Sequence, residues 1–396
     1  MRKKRGKAIS ILIAVEFSFA FLLAAYGLYL AFGVPTPPAS ALAATVSGAG
    51  AVPAASPAPA SLPSPSARAA VVTPTPNPTP DPTPPPPATM IFTGDLMLDG
   101  SVRNIINKSG LDAVFPKEYR GPFQNANIAM VDLEMPISTR GTPVPDKEYT
   151  YRGDPSGIAL LKDMGVDIVT VANNHTLDYG QTAFLDTLDL LTQNGIKYVG
   201  GGKDLNEAKQ WVILQAGDKK VAFLAASRVI PTVDWYATKY QPGLFTTYDP
   251  TALDQQIALA KKEADYVVVF VHWGVEKNTA PENYQRDMAH GYIDAGADAV
   301  VACHPHVLQG FEYYKGKLIA YSLGNFIFTD AKKDTAALEI TINGDGSLSA
   351  KLYPYEITNR STAPMTDPAQ LAALRAHLND ISFGAEIGED FGITAK

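Results

Sequence analysis

The chain contains 396 residues and carries a formal net charge of −7 at pH 7. This acidic balance argues against a nucleic-acid-binding role, which usually needs a strongly basic surface. Cys303 is the only cysteine, so the chain cannot form an internal disulfide. A folded part of the chain must therefore be stabilised by its hydrophobic core, with or without a bound metal.

The amino-terminal residues predict a membrane anchor. Residues 8–32 are almost wholly apolar and follow several lysines and arginines. About 20 apolar residues span a bilayer as a helix, and flanking basic residues favour the cytoplasmic side. We therefore predict that residues 1–33 are a cytoplasmic basic end and a single-pass transmembrane signal-anchor at the cell membrane, with the main domain extracytoplasmic. The alternative is a cleaved signal peptide with Ala41-Leu42-Ala43 as its cleavage site, although its apolar core is usually only about 7–15 residues long.

Residues 34–88 predict a disordered linker. They hold 17 of the 31 prolines, no aromatic residue, and only Arg68 and Asp81 as charges. Such a composition cannot bury a hydrophobic core. The proline-rich end of the segment favours a stiff polyproline-II spacer at about 3.1 Å per residue, which would hold the following domain away from the membrane.

From residue 89 onward, short apolar runs alternate with helical patterns. This alternation predicts a layered α/β fold. We expect one large domain over residues 89–360 and a C-terminal helix and tail over 361–396. The predicted strands are 90–93, 128–131, 166–172, 197–199, 211–215, 221–225, 266–271, 299–302, 317–321, 336–342 and 347–355, and the predicted helices are 157–164, 181–194, 254–263, 286–295 and 368–379.

Several of the predicted strands end in polar side chains that can bind a metal. The carboxyl ends of strands are where ligands sit in open α/β sheets. Each residue has an ordinary alternative: Asp95 could cap a helix, Glu134 could be a solvated loop acid, and His272 could be a satisfied core histidine. The polar residues at these strand ends are Asp95, Asp132, Glu134, Asn173, Asn174, His175, Asp178, His272, His304 and His306.

Taken together, these side chains offer mixed oxygen and nitrogen coordination. Carboxylates, an amide and imidazoles suit divalent ions such as Zn²⁺, Mn²⁺ or Fe²⁺, and the cysteine ligands of a closed structural zinc site are missing. Two such ions a few ångströms apart could stabilise both the attacking and the leaving oxygen in a hydrolysis. Asp178 is placed to orient the His175 imidazole. The sequence therefore predicts one or two divalent ions of unknown identity.

The same motifs resemble the CapA-type capsule-synthesis family, which is associated with poly-γ-glutamate biosynthesis and is similar to calcineurin-like metallophosphoesterases. The resemblance spans roughly residues 90–328 and implies a metallophosphatase-like β-sandwich flanked by helices. It also implies roles for the strand-end residues. One ion would be held by Asp95 and His306, and a second by Asn174, His272 and His304. Glu134 would bridge the two ions, and His175 would be the general acid. The motifs that carry the resemblance are Gly94-Asp95, Leu133-Glu134, Asn173-Asn174-His175, Asp178-Tyr179-Gly180, His272-Trp273-Gly274, His304-Pro305-His306-Val307-Leu308-Gln309 and Tyr321-Ser322-Leu323-Gly324-Asn325-Phe326.

Three positions depart from the pattern that the resemblance implies. Met97 stands where phosphoesterases carry a histidine, and a thioether is a poor ligand for hard or borderline ions. Asp132 replaces an asparagine, and Cys303 replaces a small residue, usually glycine, before the histidine pair. The first metal site is therefore expected to be short of one protein ligand, while Cys303 is expected to be a buried strand-end residue.

Three functions remain open from the sequence. The first is a membrane-anchored extracytoplasmic protein of poly-γ-glutamate or capsule biosynthesis with a metallophosphatase-like metal site. The second is a metal-dependent hydrolase of a phosphoester or of the polymer amide. The third is a binding module that keeps a structural metal. The expected partners are the cell membrane, other capsule or poly-γ-glutamate synthesis subunits and an anionic polymer or phosphoester ligand, and no nucleic acid is expected.

Overall fold

The computed structural model describes residues 86–396, which belong to one compact unit, Thr79–Lys396. The predicted signal-anchor and nearly all of the predicted linker lie outside the described residues. Within residues 86–396, no helix combines the length and the apolarity that crossing a membrane requires. The membrane anchor therefore stays a prediction from the sequence.

The described residues form β-strands and α-helices. The strands are β1 Ala88–Leu96, β2 Ile128–Leu133, β3 Ile168–Thr170, β4 Lys197–Val199, β5 Gly201–Gly202, β6 Val212–Ala216, β7 Lys219–Ser227, β8 Gly243–Leu244, β9 Tyr266–His272, β10 Ala299–Cys303, β11 Phe311–Tyr314, β12 Lys317–Ala320, β13 Asn325–Ile327, β14 Lys332–Ile342, β15 Leu348–Thr358, β16 Ser361–Pro364, β17 Ala385–Ile387 and β18 Gly392–Ala395. The helices are α1 Gly100–Ser109, α2 Gly121–Asn125, α3 Ile158–Met164, α4 Gly180–Gln193, α5 Leu205–Ala208, α6 Thr251–Ala260, α7 Asn283–Ala295 and α8 Pro368–Asp380.

Two large sheets organise these strands. The first, sheet 1, has the order β17-β18-β15-β14-β1-β2-β3-β4, with β13 and β16 added beside β1 and β15. The second, sheet 2, has the order β11-β12-β10-β9-β7-β6. Strands β1 to β4 run parallel to one another, as do β7, β9, β10 and β12. Sheet 2 therefore has a parallel centre, whereas the parallel strands of sheet 1 form its half from β1 to β4. Parallel strands that are buried on both faces explain the continuous apolar runs in the sequence.

The two sheets face each other across a shared core. Alternate residues of a strand point to opposite faces, and β1 shows this directly. Met90 and Phe92 pack with Phe223 and Phe270 of sheet 2, whereas Ile91 packs into a separate cluster on the outer face of sheet 1. Helices cover the outer faces, with α3 and α4 on sheet 1 and α6 and α7 on sheet 2. The predicted mixed α/β fold in layers is confirmed.

The carboxyl-terminal residues extend sheet 1. The predicted closing helix is present as α8, but strands that the sequence patterns did not indicate lie on both sides of it. Strand β16 pairs with β15, and β18 pairs with both β15 and β17. These strands are only three or four residues long, so they contain too few alternations to produce a recognisable pattern. Residues on both sides of the predicted boundary at 360 belong to the same sheet.

Candidate metal centre

The candidate centre lies where the parallel strands of the two sheets end. Asp95 is near the end of β1, and Gly94 before it allows a close backbone crossing, because a Cβ at Gly94 would lie 1.9 Å from the Gly324 carbonyl oxygen. The Asp95 amide donates to that same oxygen at 3.0 Å. This crossing brings Asn325, the first residue of β13, into register with Asp95.

The two histidines after β10 adopt an unusual backbone conformation. His304 has a φ of 101° and His306 a φ of 58°, in the left-handed half of conformational space that non-glycine residues seldom occupy. The turn brings both imidazoles towards the edge between the sheets, where the His304 ring lies 4.7 Å from the His272 ring and 5.6 Å from the His306 ring. Such strained backbone often marks a functional site.

His306 contacts Asp95 on the sheet 1 side of the centre. Its Nδ1 lies 3.0 Å from Asp95 Oδ2 and 2.7 Å from Asn325 Oδ1. Asn325 is itself held by Asp330, to which its amide donates at 2.6 Å. Burial opposes ionisation of Asp95, but the hydrogen bond and positive charge of His306 more than offset this and lower the pKa of Asp95 to about 2. The Asp95 carboxylate is therefore anionic at neutral pH.

His272 is fixed by Asp132 on the sheet 2 side of the centre. Its Nδ1 lies 3.0 Å from Asp132 Oδ2, and its Nε2 lies 2.7 Å from Asn174 Oδ1. Asp132 also accepts from the Asn173 amide at 2.8 Å and from the Cys303 thiol at 3.1 Å. A carboxylate behind a histidine commonly selects its tautomer and ring orientation at metal sites. Asp132 leaves the His272 Nε2 directed towards Asn174.

Glu134 lies between these two groups. Its Oε1 is 3.8 Å from His272 Nε2 and 4.0 Å from His306 Nε2. Burial, followed by the negative charges of Asp95 and Asp132, raises the pKa of Glu134 well above its usual range. This position, within reach of both histidines, is what the predicted bridging role requires.

Several buried ligand atoms in the centre have no hydrogen-bond partner. Among the described residues, these atoms include Asp95 Oδ1, both carboxylate oxygens of Glu134, and His304 Nδ1. An unpaired buried polar atom is costly, and buried charges are normally paired or coordinate a metal. A divalent cation would stabilise the Glu134 carboxylate and would use the neutral imidazole that burial favours at His304, whose pKa lies well below its usual range. The donor set therefore fits a divalent metal.

The candidate ligand atoms form two groups. Those of Asp95, Asp132, His272 and Cys303 lie within 4.8 Å of one another, as do those of Glu134, His304 and His306. The structure thus brings all six predicted ligands to one edge of the fold. It adds Asp132 and Cys303, to which the resemblance had given no ligand role. Asp132 and Glu134 are two residues apart around the end of β2, and that spacing is the signal that could have given Asp132 a role beside Glu134.

His175 and Asp178 form a hydrogen-bonded pair beside the predicted ligand Asn174. The His175 Nδ1 lies 2.6 Å from Asp178 Oδ2, and that oxygen also accepts from the Tyr151 amide at 2.7 Å. Asp178 is fully buried, and His175 retains 6% exposure. The carboxylate can therefore orient the imidazole. Burial lowers the pKa of His175, and the hydrogen bond and charge of Asp178 oppose that change.

Lys147 is a contact of this pair that no sequence pattern indicated. Its ammonium forms a salt bridge with Asp178, lies 3.0 Å from His175 Nδ1 and donates to the Asn174 carbonyl oxygen at 2.6 Å. Burial lowers the pKa of Lys147, and the Asp178 charge opposes that change. Lys147 reaches the pair from a segment without regular secondary structure, 27 to 31 residues earlier in the chain, so only the folded structure reveals it.

Met97 lies in the hydrophobic core. It is fully buried in the cluster on the outer face of sheet 1, and its sulfur accepts from the Asp99 amide at 2.9 Å. These contacts indicate that the Met97 side chain packs in the hydrophobic core.

Met97→His is expected to lower the free energy of unfolding by roughly 1–3 kcal/mol, because a buried imidazole would lack a partner. No second equivalent of metal should appear. Urea denaturation and elemental analysis of the full chain measure both, with Met97→Leu as the control of similar volume, expected to cost less than about 1.5 kcal/mol. Extra metal together with an unchanged or higher stability would instead place the new imidazole in the centre.

Comparison with known proteins identifies the family. The family described as "Bacterial capsule synthesis protein PGA_cap" matches residues 89–330. The PGA biosynthesis protein CapA of Bacillus subtilis is 31% identical over 310 residues, which are 76% of this chain and 80% of the relative. The capsule biosynthesis protein CapA of Bacillus anthracis is 32% identical over 289 residues, or 70% of this chain and 69% of the relative.

Solved structures of low sequence identity also align with the chain. A phosphatase from Mycoplasma pneumoniae covers 73% of this chain and 97% of its own, with a TM-score of 0.43 and 12% identity. The family assignment depends on the sequence matches, which span most of the described residues and of the Bacillus subtilis relative. This chain belongs to the bacterial capsule synthesis protein family.

Proposed function

We propose that this chain is a membrane-anchored, extracytoplasmic protein of poly-γ-glutamate or capsule biosynthesis that holds a divalent metal between its two sheets. The family and the names of its relatives support the biosynthetic role. The apolar run at residues 8–32 and the proline-rich segment that follows support the location. The polymer and the other synthesis subunits are the expected partners.

The observation that carries the metal proposal is the set of buried ligand atoms without a partner. Asp95, Glu134 and His304 each contribute at least one such atom, and all three are almost or fully inaccessible to solvent. Asp95 and His306 would hold one ion, and Asn174, His272 and His304 a second, with Glu134 between them. Asp95 and His306 give the first of these sites fewer protein ligands than the second, so occupancy by a single ion is the expected resting state.

Polymer production in the organism that encodes the chain tests the biosynthetic role. A chromosomal Glu134→Gln variant should reduce extracellular anionic polymer strongly, since it removes the carboxylate charge between the two histidine sites. An exposed glutamate changed in the same way, Glu386→Gln, is the matched control. Normal polymer production by Glu134→Gln, with the variant present in the membrane at the wild-type level, would overturn the proposal.

A second candidate function, metal-dependent hydrolysis, is favoured by the His175–Asp178 pair. A bound divalent ion would supply a polarised scissile group and a water of lowered pKa. His175 would then donate a proton to the leaving group, and Asp178 would stabilise the imidazolium through Nδ1. The substrate would be a phosphoester or the amide of the polymer, and Lys147 would hold Asp178 in place.

Cleavage by the metal-loaded full chain tests this second function. Wild-type protein loaded with Mn²⁺, Zn²⁺ or Fe²⁺ is incubated with poly-γ-glutamate and with a simple phosphodiester, and chain length and product release are measured. His175→Gln should retain metal and lose at least about tenfold in rate, since general acid catalysis contributes about 10²–10⁴-fold. Full metal loading without cleavage of either substrate would reduce the chain to a metal-stabilised binding module.

A further inference from the structure

Arg228 lies at the same edge of the fold as the candidate metal centre. It directly follows β7, and its amide donates to the His272 carbonyl oxygen at 2.9 Å. Ala226 of β7 packs on the helix-covered face of sheet 2. Arg228 contacts Tyr284 of α7, one of the helices that cover that face. Because side chains alternate along a strand, His272 next to Val271 projects between the sheets. The two side chains therefore share an edge but occupy opposite faces of sheet 2.

Two tyrosines hold the Arg228 guanidinium. Its central carbon lies 4.3 Å from the Tyr284 ring centre and 5.4 Å from the Tyr248 ring centre. One guanidinium nitrogen, Nη1, donates to the Tyr248 carbonyl oxygen at 3.0 Å. Contacts of this kind with aromatic faces stabilise a guanidinium and restrict its motion. The cation is thus fixed before any ligand arrives.

Both tyrosines are themselves anchored to the strand-end loops. The Tyr284 hydroxyl accepts from the Gly274 amide at 2.8 Å, two residues beyond His272. The Tyr248 hydroxyl accepts from the Ile230 amide at 3.3 Å, and its ring stacks on Tyr236 at 6.3 Å. The clamp is therefore built on the loop that follows His272 and on the loop that follows β7.

Arg228 has no carboxylate partner among the described residues. Other arginines, such as Arg120, Arg140 and Arg286, form salt bridges with aspartate or glutamate. Arg228 uses one N–H for the Tyr248 carbonyl, and a guanidinium has five N–H donors in a planar fork that matches carboxylates and phosphates. It is only half-buried. An oriented, partly accessible cation with spare donors is suited to an external anion.

The segment between β7 and α6, which carries Tyr248, is exposed and partly apolar. Tyr248 is 46% exposed, Val233 is 71% exposed and Tyr240 is 86% exposed, and all three belong to the segment between β7 and α6. An open surface of this kind fits an extended chain better than a small molecule, which usually occupies a concave pocket. The same segment places Trp235 5.2 Å from the Lys147 ammonium, so it also borders the His175–Asp178 pair.

We propose that Arg228, held by Tyr248 and Tyr284, is an anion subsite for a carboxylate of a polymeric ligand, such as poly-γ-glutamate, that also reaches the metal centre. This inference rests on the proposed function for the choice of polymer. A single small anion at the centre would lie between the sheets, whereas Arg228 lies on the other face of sheet 2. A chain of regularly spaced carboxylates can occupy both positions.

Binding of labelled poly-γ-glutamate to the full chain in detergent tests the subsite. Arg228→Gln should weaken binding at least tenfold. The affinity of Arg228→Lys should fall between those of wild type and Arg228→Gln, because lysine keeps the charge but loses the planar fork. Tyr284→Leu should also weaken binding, since it removes one wall of the clamp. The matched control is Arg375→Gln, whose arginine lies on α8 and faces only Glu389 at 3.9 Å.

Binding of three test ligands distinguishes the possible sources of the anion. Glutamate monomer should bind far more weakly than the polymer, and its affinity should be the same for Arg228→Gln as for wild type. Inorganic phosphate should behave like the monomer. If Arg228→Gln loses affinity for phosphate but not for the polymer, the carboxylate assignment is overturned. If Arg228→Gln and Arg375→Gln bind the polymer with equal affinity, the subsite itself is overturned.

The outcome also separates this inference from the proposed function. Metal content is measured on every variant and should equal that of wild type, because Arg228 and the two tyrosines are not predicted ligands. Wild-type binding that is insensitive to Arg228 would leave the proposed function intact and remove only the subsite. Absence of wild-type binding would overturn the subsite, while metal content and polymer production would still test the proposed function on their own.

Discussion

His304→Ala is expected to remove most of the bound divalent metal from the purified full chain. His304 is 3% exposed, and its ring lies next to those of His272 and His306. Loss of one imidazole leaves the ion under-coordinated, and ligand loss from a small site weakens binding strongly. We expect affinity to fall at least tenfold, which corresponds to about 1.4 kcal/mol.

Elemental analysis after dialysis against a weak chelator measures this effect. The control is His377→Ala, because His377 is an exposed histidine on α8 that is not among the predicted ligands. A second control, His290→Ala, removes a histidine that contacts Glu312 at 2.8 Å and stacks on Tyr314, so it disturbs the fold away from the centre. Equal metal content in His304→Ala and His377→Ala, with both proteins folded, would rule out His304 as a ligand.

Local patterns were sufficient to predict the centre of the fold. The apolar run that became β9 and the helical pattern that became α4 are each continuous in sequence, so hydrophobic periodicity indicates them. The sequence did not predict strands β13, β17 and β18. They are three or four residues long and owe their strand conformation to neighbours such as β1 and β15, which lie far away in sequence.

The candidate site also has features that local sequence patterns predict and features that they do not. Polar residues at strand ends identified the proposed ligands, because the carboxyl ends of parallel strands meet at one edge. Their partners could not be deduced. Asp132 contacts His272 across 140 residues and Cys303 across 171 residues, and no local pattern encodes such pairs. The left-handed conformation of His304 and His306 is also not predictable from the sequence, since only a small minority of non-glycine residues adopt a positive φ.

These contacts also change the interpretation of the departures from the family pattern. Asp132 and Cys303 looked like two separate substitutions in the sequence. In the fold, both touch the same histidine: the Cys303 sulfur lies 3.3 Å from His272 Nδ1, and Asp132 lies 3.0 Å from the same nitrogen. Together they form the support behind His272, and a change at either one should alter how that imidazole is held.

Glu134→Gln is expected to stabilise the metal-free chain while preventing it from binding metal tightly. Both carboxylate oxygens of Glu134 are buried without a partner, and Asp95 and Asp132 lie close enough to repel its charge. An amide has nearly the same shape and carries no charge. In chelator at pH 7.5 we expect the variant to gain roughly 1–3 kcal/mol, because the neutral amide avoids the added penalty of a buried, unpaired charge.

The pH dependence of this difference follows from the raised pKa of Glu134. An ordinary glutamate in the unfolded chain ionises near its reference pKa of 4.5, whereas the folded state resists ionisation until a higher pH. The unfolded state therefore gains relative stability as the pH rises above about 4.5, up to the pKa of the folded state. Glutamine does not titrate, so the advantage of Glu134→Gln should be small at pH 4 and should grow towards neutral pH.

Metal should reverse the order of stability. A ligand that binds only the folded state stabilises it in proportion to the logarithm of its concentration over Kd, so wild type should gain stability on loading and Glu134→Gln should gain little. Tryptophan fluorescence in urea reports the transition, because all three tryptophans lie after residue 89, and Glu386→Gln is the exposed control. If Glu134→Gln is less stable than wild type in chelator at neutral pH, Glu134 is satisfied by the protein alone, and the main physical argument for a metal at this edge of the fold is lost.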